Sequence, residues 1–535
     1  MESNKNHIHL FGNPEENFYV LGKKDKNSYE EVYKQTSMLC AKNNYLAQLI
    51  KSTTDFSRKF IYQKPNNHYL ELKAYAEGLE RPVADVLFTF LLPELVASFN
   101  KFTPNLLSLI PGCSSLFIYD KKNDGVIHNR ILDYALSGSF EKYERSISYE
   151  FPNRYKVFSF STSGIPLPSF SGMNEKGLTL ALHYKHGKNF NFEGESIFML
   201  AADILFQCAD IREALKFIKD KKSISYWGLY LSDSNGEILS IDINGHEIYQ
   251  EKYDIRDHEY LYFNNRPLIK KNEHLEIQPY GNLDQCLMRY RNTQDRFKNF
   301  NIDDSKNISM DTLKILTKDN KHKAQSAKHW TLGPINTSSI QAISFDAKNQ
   351  SAIYQLGMAP KFFSKNQRHF SHIFSTIQIK ENNEDIKENS YQKGMRLMAS
   401  FQTSFDMGNI SKAYHEIQMS IQYLSEYPEG YICKFFFIVI EYIYESDKRD
   451  LSYLFDELLL LQDKLPPYLE DHRKLFLMRL GKLIGHHSLN KKNEIKNKQL
   501  KNIYDHEFKL NNLAIKGLKK LIFPRIDVLD IIYAY

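Results

Sequence analysis

The character of the chain changes at one point, residues 112–115, and this change limits the possible folds more than any other feature. Residues 28–109 contain long stretches without Gly or Pro, with apolar side chains at three- and four-residue steps, which is typical of helices. Residues 113–182 carry short apolar runs separated by Gly, Asn and Pro, which is typical of strands. A chain with segments in this order is expected to be an α+β protein.

Strand patterns continue beyond this region, with helices inserted between them. Residues 197–218 show the pattern of a pair of helices, and residues 227–242 that of two strands around a Ser-Asn-Gly turn. Further strands are predicted at residues 260–263, 340–345 and 351–356. Because helices and strands do not alternate regularly, we expect stacked α+β layers rather than a doubly wound sheet.

The last third of the chain has a different character. A Lys/Asn/Glu-rich stretch at residues 380–389 precedes a nearly uninterrupted helical pattern. We therefore predict three units, with residues 1–112 as a helical N-terminal segment, 113–375 as an α+β domain and 376–535 as an all-α domain. In the last unit, Gly408–Tyr414 resembles part of a tetratricopeptide unit, but one copy does not establish a repeat.

Charge and apolar content exclude several kinds of partner. The 535 residues include 70 Lys and Arg against 64 Asp and Glu, and a net charge of +6 is too dilute to indicate nucleic-acid binding. The most apolar run, residues 435–440, is interrupted by Glu441 and is far shorter than a membrane-spanning helix. The N-terminus lacks the apolar run that a secretory signal requires. We therefore expect a protein without a transmembrane segment that is cytoplasmic, or exported without a Sec signal.

The cysteines are few and widely spaced, and none forms a CxxC pair: Cys40, Cys113, Cys208, Cys286 and Cys433. This spacing indicates neither a disulfide framework nor a zinc site. No metal and no cofactor are expected.

Cys113 differs from the other cysteines because it lies at the helix-to-strand junction, directly after Gly112. A glycine leaves the preceding carbonyl open to attack, so the chain could cut itself here. After an Asn-Asp-Gly turn, the returning strand carries Arg130 and Asp133 back towards the thiol. Taken alone, a cysteine is more often a small buried apolar residue, and Arg130 and Asp133 could be a surface ion pair. The order of the surrounding motifs favours a nucleophile.

These motifs resemble a family of N-terminal-nucleophile hydrolases, the acyl-CoA:6-aminopenicillanate acyltransferase or peptidase C45 group. Choloylglycine hydrolases, penicillin V acylases and acid ceramidase-like amidases are its relatives. The resemblance covers about residues 60–375 and rests on motifs in the same order: Glu71–Leu79, Gly112-Cys113-Ser114-Ser115, Arg130-Ile131-Leu132-Asp133-Tyr134, Gly172–Leu178, Leu261–Asn265, Arg289-Tyr290-Arg291 and Ser339–Asp346. Relatives commonly have Asn at the position of Ile131, which points away from the thiol if the strand alternates.

The resemblance implies a four-layer αββα fold in which residues 1–112 form a helical pro-segment, separated as a small subunit by autocatalytic cleavage between Gly112 and Cys113. It implies that Cys113 is the nucleophile and that its freed α-amino group is the base. Arg130 is then expected to stabilise the thiolate, and Asp133 to orient the α-amino group.

Further site residues follow from the same resemblance. The side-chain amide of Asn264 and a backbone N–H near Tyr184 are implied as donors to the oxyanion. Either Arg289 or Arg291 matches a basic residue near the nucleophile, and the sequence does not decide between them.

Two hypotheses remain open at this point. The first is an autoprocessed cysteine amidohydrolase or acyltransferase that acts on a small linear N-acyl amide or acyl donor through S-acyl Cys113, with the helical domain restricting access or binding a protein partner. The second is a catalytically inactive protein of the same fold, in which the helical C-terminal domain binds a protein partner.

Overall fold

The computed structural model describes Gly112, Cys113 and most of the motifs above. The described residues are 2–4, 6–41, 67–99, 112–187, 191, 193–267, 280–382, 388–445, 447–486 and 495–533. Parts of the predicted helical zone, residues 42–66 and 100–109, lie outside the described residues, as does the side chain of Cys40.

Nine strands of the described residues form the first sheet, and all neighbours are antiparallel except the parallel pair β2 and β5. Their order across the sheet is β1 (Glu2–Asn4), β2 (His7–Phe11), β5 (Arg145–Glu150), β6 (Val157–Ser161), β7 (Ser171–Asn174), β8 (Thr179–Tyr184), β9 (Tyr226–Ser232), β10 (Glu237–Asn244) and β11 (Glu247–Asp254).

Seven strands of the described residues form the second sheet, in which all neighbouring strands are antiparallel. Cys113 is the first residue of one of these strands. Their order is β12 (Leu261–Phe263), β3 (Cys113–Asp120), β4 (Gly125–Asp133), β13 (Ser339–Asp346), β14 (Ser351–Gln355), β15 (Gln367–Ser371) and β16 (Gln378–Asn382).

Helices cover the outer faces of both sheets. The nine-stranded sheet carries α5 (Ile197–Gln207) and α6 (Ile211–Ile218), which contact β7, β8 and β10. The seven-stranded sheet carries α7 (Tyr280–Phe297) and α8 (Ile308–Thr317), which contact β12, β4 and β13. The helices up to this point are α1 (Pro14–Ala41), α2 (Asn67–Leu79), α3 (Val83–Phe99), α4 (Ser139–Lys142), α5 (Ile197–Gln207), α6 (Ile211–Ile218), α7 (Tyr280–Phe297) and α8 (Ile308–Thr317). None of the helices within the described ranges is long and apolar enough to cross a membrane.

The two sheets pack face to face because alternate side chains of each sheet point inward. Phe117 of β3 lies in one apolar cluster with Tyr230 of β9, and the rings of Phe160 in β6 and Tyr354 in β14 stack with centroids 4.7 Å apart. Leu116, next to Phe117, points the other way and belongs to the apolar cluster beneath α7. The order of layers is therefore helix, sheet, sheet, helix, which confirms the predicted αββα fold.

The C-terminal part is built from helices and ends in a short antiparallel hairpin. Its elements are α9 (Ser390–Asp406), α10 (Ile410–Tyr423), α11 (Pro428–Tyr444), α12 (Lys448–Leu460), α13 (Pro467–Ile484), α14 (Lys498–Glu507), α15 (Asn512–Leu518), β17 (Ile522–Arg525) and β18 (Asp530–Tyr533). The predicted helical region is confirmed, and the hairpin is an addition to it.

Five of the described strands lie in segments that were predicted to be helical or linker: β1, β2, β16, β17 and β18. In the N-terminal segment, β2 joins the nine-stranded sheet by burying Ile8 and Leu10. The mostly exposed edge strand β16 continues the seven-stranded sheet past residue 375 to Asn382, with a polar sequence that looks like a linker. The hairpin of β17 and β18 corrects the expectation of an all-α end, because its buried Ile522, Ile531 and Tyr533 need a partner strand.

Candidate active site around Cys113

Cys113 is the first residue of β3, and its thiol points into the space between the sheets. It lies opposite Leu132 of β4, and Ser115 lies opposite Arg130. Because directly opposite residues share a face of the sheet, Arg130 is diagonal to Cys113 on the inner face. Its guanidinium Nη2 is 3.1 Å from the Cys113 Sγ, and both side chains are buried.

Arg130 is held in place from the facing sheet. Its Nη2 also donates to the Leu182 carbonyl of β8, and its Nε donates to the Ser171 Oγ at 3.4 Å. Its Nη1 has no hydrogen-bond partner among the described residues although it is buried. The site therefore contains a fixed positive charge beside the thiol with one donor to spare.

Asp133 lies on the opposite face of β4, because it is three residues from Arg130 and strand side chains alternate. Its carboxylate accepts hydrogen bonds from Ser339 and from the Asn336 Nδ2 at 2.8 Å, and its backbone N–H donates to the Gly112 carbonyl at 3.0 Å. The hairpin thus returns only Arg130 to the thiol, whereas Asp133 reaches the peptide before Cys113. The role predicted for Asp133 with the freed α-amino group stays a prediction.

Burial and three neighbouring groups determine the pKa of the Asp133 carboxyl group. Removal from water raises the pKa of this carboxyl group above its ordinary value, while Arg289 and the hydrogen bonds from Ser339 and Asn336 act in the opposite direction. The Arg289 Nη1 is 3.3 Å from the Asp133 Oδ2. The ionised form of Asp133 therefore depends on these three neighbours.

Arg289 and Arg291 of α7 have different surroundings. Arg289 is 1% exposed, and its Nη1 donates to the Cys113 carbonyl at 3.0 Å, whereas Arg291 is exposed. The guanidinium of Arg289 also explains Gly112, because a Cβ at residue 112 would lie 2.3 Å from the Arg289 Nη2. The structure brings Arg289, and not Arg291, to the proposed cleavage point.

Asn265, and not the predicted Asn264, contacts Cys113. The Cys113 backbone N–H donates to the Asn265 Oδ1 at 2.7 Å, and the Asn265 Nδ2 donates to the Tyr184 carbonyl at 2.8 Å. The Asn264 Nδ2 instead donates to the Cys286 carbonyl of α7 at 2.9 Å. The pairing of β12 with β3, continued by two residues beyond Phe263 opposite Ser115, places residue 265 beside Cys113. The sequence alone does not show this register, so it could not distinguish Asn265 from Asn264.

Two histidines, His128 and His183, lie between the sheets near Arg130 and contact Ser115. The Ser115 Oγ is 2.9 Å from the His183 Nε2 and 3.2 Å from the His128 Nε2. Burial lowers the pKa of His128 and His183 well below the ordinary value, and the charge of Arg130 adds to this effect. Both rings therefore act as neutral hydrogen-bond partners. Within the described residues, no group of three or more His, Cys, Asp or Glu could hold a metal ion.

Lys185 is a buried charge that sequence reasoning missed. Its Nζ donates to the Tyr230 hydroxyl at 2.8 Å and to the carbonyls of Asn264 and Arg266, and it lies 3.4 Å from the Asp242 Oδ1. The two carbonyls flank Asn265. Lys185 thus fixes the backbone that presents Asn265 to Cys113.

A run of aromatic rings reaches the helix-covered face of the nine-stranded sheet. Successive ring centroids are 5.1 to 6.1 Å apart, in the order Tyr134, Phe170, Phe198, Trp227 and Tyr184. Tyr184 lies on that face because its neighbour His183 points to the Ser115 Oγ of the other sheet. Cys113 belongs to the same large buried apolar cluster as these rings.

Two stacked sheets covered by helices, with a cysteine as the first residue of an inner strand, are the arrangement that the resemblance to N-terminal-nucleophile hydrolases implies. Residues 126–360 match the model of the family described as acyl-coenzyme A:6-aminopenicillanic acid acyl-transferase. The match confirms the resemblance that the motifs indicated, and it makes this part of the chain similar to that family. No curated protein matches the chain.

Several solved structures are similar to part of the chain. Penicillin V acylase from Agrobacterium tumefaciens is 14% identical, with 51% of this chain and 94% of that chain covered and a TM-score of 0.34. A mutant of conjugated bile acid hydrolase from Clostridium perfringens is 13% identical, with 52% and 99% covered and a TM-score of 0.35. The N-acylethanolamine-hydrolyzing acid amidase ortholog of Caenorhabditis elegans is 10% identical, with 44% and 93% covered and a TM-score of 0.33.

Proposed function

We propose that the protein is an autoprocessed cysteine amidohydrolase or acyltransferase that acts on a linear N-acyl amide through an S-acyl intermediate on Cys113. The observation that supports this most strongly is the buried Arg130 guanidinium, 3.1 Å from the Cys113 Sγ. A cation next to a thiol favours the thiolate, which is the reactive form of cysteine.

Autoprocessing begins when the Cys113 sulfur attacks the carbonyl carbon of Gly112. The C–N bond between the two residues breaks, the nitrogen takes the thiol proton, and a thioester joins Gly112 to the Cys113 sulfur. Water then hydrolyses the thioester, leaving a carboxylate on Gly112 and a free thiol and α-amino group on Cys113. The hydrogen bond from the Asp133 N–H to the Gly112 carbonyl supports this step, because it polarises the bond under attack.

The new N-terminus supplies the base for turnover. An α-amino group has an ordinary pKa of about 7.7–8.0, so a useful fraction is unprotonated near neutral pH and takes the thiol proton. The thiolate adds to the amide carbonyl, the amine leaves with a proton from the α-ammonium, and an S-acyl enzyme remains. Water or a second amine then releases the acyl group.

The oxyanion needs donors near the thiol, and the contacts favour a different asparagine from the one predicted. The Asn264 side chain is directed to the Cys286 carbonyl of α7, whereas Asn265 contacts the Cys113 backbone, and its Nδ2 has a second N–H besides the one donated to the Tyr184 carbonyl. We assign the donor role to Asn265 together with the spare Nη1–H of Arg130. Asp133 is proposed to orient the α-amino group.

The apolar surroundings of Cys113 indicate the acyl half of the substrate. Cys113 belongs to a buried apolar cluster that also includes Leu132, its partner across the two strands, and apolar surface favours an acyl group over a charged one. The partner of the site is therefore a small N-acyl amide or acyl donor.

Gel electrophoresis and N-terminal sequencing test the proposal. A cut after residue 112 of 535 divides the 62.8 kDa chain into fragments of about 13 and 50 kDa, and the larger begins Cys-Ser-Ser-Leu-Phe. The Cys113→Ala variant should remain intact. A wild-type chain that stays whole and behaves like this variant would contradict the proposal.

A further inference from the structure

The C-terminal hairpin, here residues 522–533, lies directly behind the candidate site. Its turn, residues 526–529, is buried, with Ile526 and Val528 at most 1% exposed. The turn carries backbone carbonyl groups that face the α+β part of the chain. Two of them accept hydrogen bonds from that part.

The first hydrogen bond reaches the loop that supports Asp133. The Ser338 Oγ donates to the Asp527 carbonyl at 3.1 Å. Ser338 lies between the two residues that donate neutral hydrogen bonds to the Asp133 carboxylate, Asn336 and Ser339. The Ser338 N–H also binds the Asn336 Oδ1 at 2.8 Å, so the position of Ser338 fixes that of Asn336.

The second hydrogen bond reaches the helix that carries Arg289. The Gln285 Nε2 of α7 donates to the Val528 carbonyl. Gln285 is four residues before Arg289, on the same face of the helix. At the start of α7 the hairpin approaches so closely that a Cβ on Gly281 would lie 3.1 Å from the Leu529 carbonyl oxygen.

The hairpin is itself anchored in the helical domain. Buried Arg525 pairs with Asp406 of α9 and with Asp527 in the turn. The Ile526 N–H donates to the Gln402 Oε1 of α9 at 2.7 Å, and the His472 Nε2 of α13 lies 3.0 Å from the Asp530 Oδ1. The turn therefore has one position relative to α9 and α13.

We propose that the C-terminal hairpin is a positioning element of the active site, holding Asp133 through Ser338 and Arg289 through Gln285. This inference rests on the proposed function, and it gives the helical domain a role within the chain itself. Both paths end on the Asp133–Arg289 pair, which contacts Gly112 and Cys113. Ser338 and Gln285 touch neither the substrate nor the thiol in this scheme, so they are positioning residues.

The test is the Ser338→Ala, Gln285→Met double variant of the full chain. The matched control is Ser344→Ala, because the buried Ser344 Oγ has no hydrogen-bond partner among the described residues. We expect kcat for an N-acyl amide to fall about tenfold while KM stays within about twofold, since misplaced catalytic groups slow the chemical step. The control should keep the wild-type kcat.

A second readout does not depend on turnover. The rate at which iodoacetamide alkylates Cys113 at pH 7, followed by intact mass, should differ at least about threefold between the double variant and the Ser344→Ala control, because the Asp133–Arg289 pair contacts the backbone of Gly112 and Cys113. Loss of melting temperature with unchanged kcat and an unchanged alkylation rate would show a merely structural hairpin and overturn the inference. Turnover that is equal in wild type and Cys113→Ala would refute the proposed function instead, and the alkylation rate would still decide the role of the hairpin.

Discussion

Arg130 Nη2 lies 3.1 Å from Cys113 Sγ because the two residues occupy diagonal positions on the inner face of adjacent strands. The tight turn between β3 and β4 sets this register, so the contact depends on local chain geometry. Arg130 is also bound to the facing sheet through Leu182 and Ser171. The positive charge is therefore fixed next to the thiol before any substrate binds.

Replacing Arg130 by methionine should make the thiol less reactive. With the guanidinium absent, the sulfur loses the cation 3.1 Å away, and we expect iodoacetamide to alkylate Cys113 at least about tenfold more slowly at pH 7. Arg291→Met, an exposed arginine on α7, is the control and should alkylate at the wild-type rate. Equal alkylation rates in both variants would show that Arg130 does not activate the Cys113 thiol.

Gly112→Ala should block autoprocessing. The added Cβ would meet the Arg289 guanidinium at 2.3 Å, so the cleavage point and Arg289 cannot keep their positions. Cleavage followed by gel electrophoresis should slow at least about a hundredfold, as expected when reacting groups are displaced by about 1 Å. Gly517→Ala is the control, since its Cβ would meet nothing within 4 Å. Normal cleavage in Gly112→Ala would show that this contact is unimportant.

The two neighbouring asparagines can be separated by kinetics. Asn265→Ala removes the side chain that binds Cys113, and kcat should fall by about 10²–10³ if it donates to the oxyanion. Asn264→Ala removes a hydrogen bond to α7 and should lower kcat by much less. The opposite ranking of kcat would assign the donor role to Asn264 and contradict the assignment to Asn265.

Lys185→Met should destabilise the fold. It leaves the buried Asp242 without the cation that lies 3.4 Å away, and breaking a buried ion pair costs about 3–5 kcal/mol of unfolding free energy. The double variant Lys185→Met, Asp242→Asn should recover part of this loss, as urea denaturation can measure. A double variant no more stable than the single one would show that the pair is not coupled.

His68 should make stability depend on pH. Burial lowers its pKa, but hydrogen bonds to Asp203 and Glu71 outweigh this and raise it to about 9 from 6.5. Because the folded value is the higher one, the contribution is complete below pH 6.5 and is lost as the pH rises through 9. Between about pH 6 and pH 9.5, His68→Gln should lose less unfolding free energy than the wild type. Parallel losses would assign the dependence to other groups.

How far the sequence could predict this site follows from which contacts are local. Cys113 and Arg130 are joined by a short hairpin with an Asn-Asp-Gly turn, and their relation was visible in the chain. Asn265 was missed in favour of its neighbour because the choice depends on the register of β12 against β3, which is distant in the sequence. Arg289 was distinguished from Arg291 only by the burial of one face of α7.

The same reasoning applies to the fold. The layers were predictable because strand and helix patterns are strong over residues 113–356. β17 and β18 have four residues each, and contacts with α9 and α13 hold their hairpin in place. Such short strands have no local sequence pattern from which they could be predicted. The role of Lys185 could not be predicted because its partner Asp242 lies in a distant strand.

Intact mass spectrometry after incubation with a panel of N-acyl amides tests the central claim most directly. We expect a fragment beginning at Cys113 that gains the mass of one acyl group, carried by the Cys113 sulfur and lost on hydrolysis. A full-length chain of 62.8 kDa with no acyl adduct, identical in behaviour to Cys113→Ala, would contradict the proposed function.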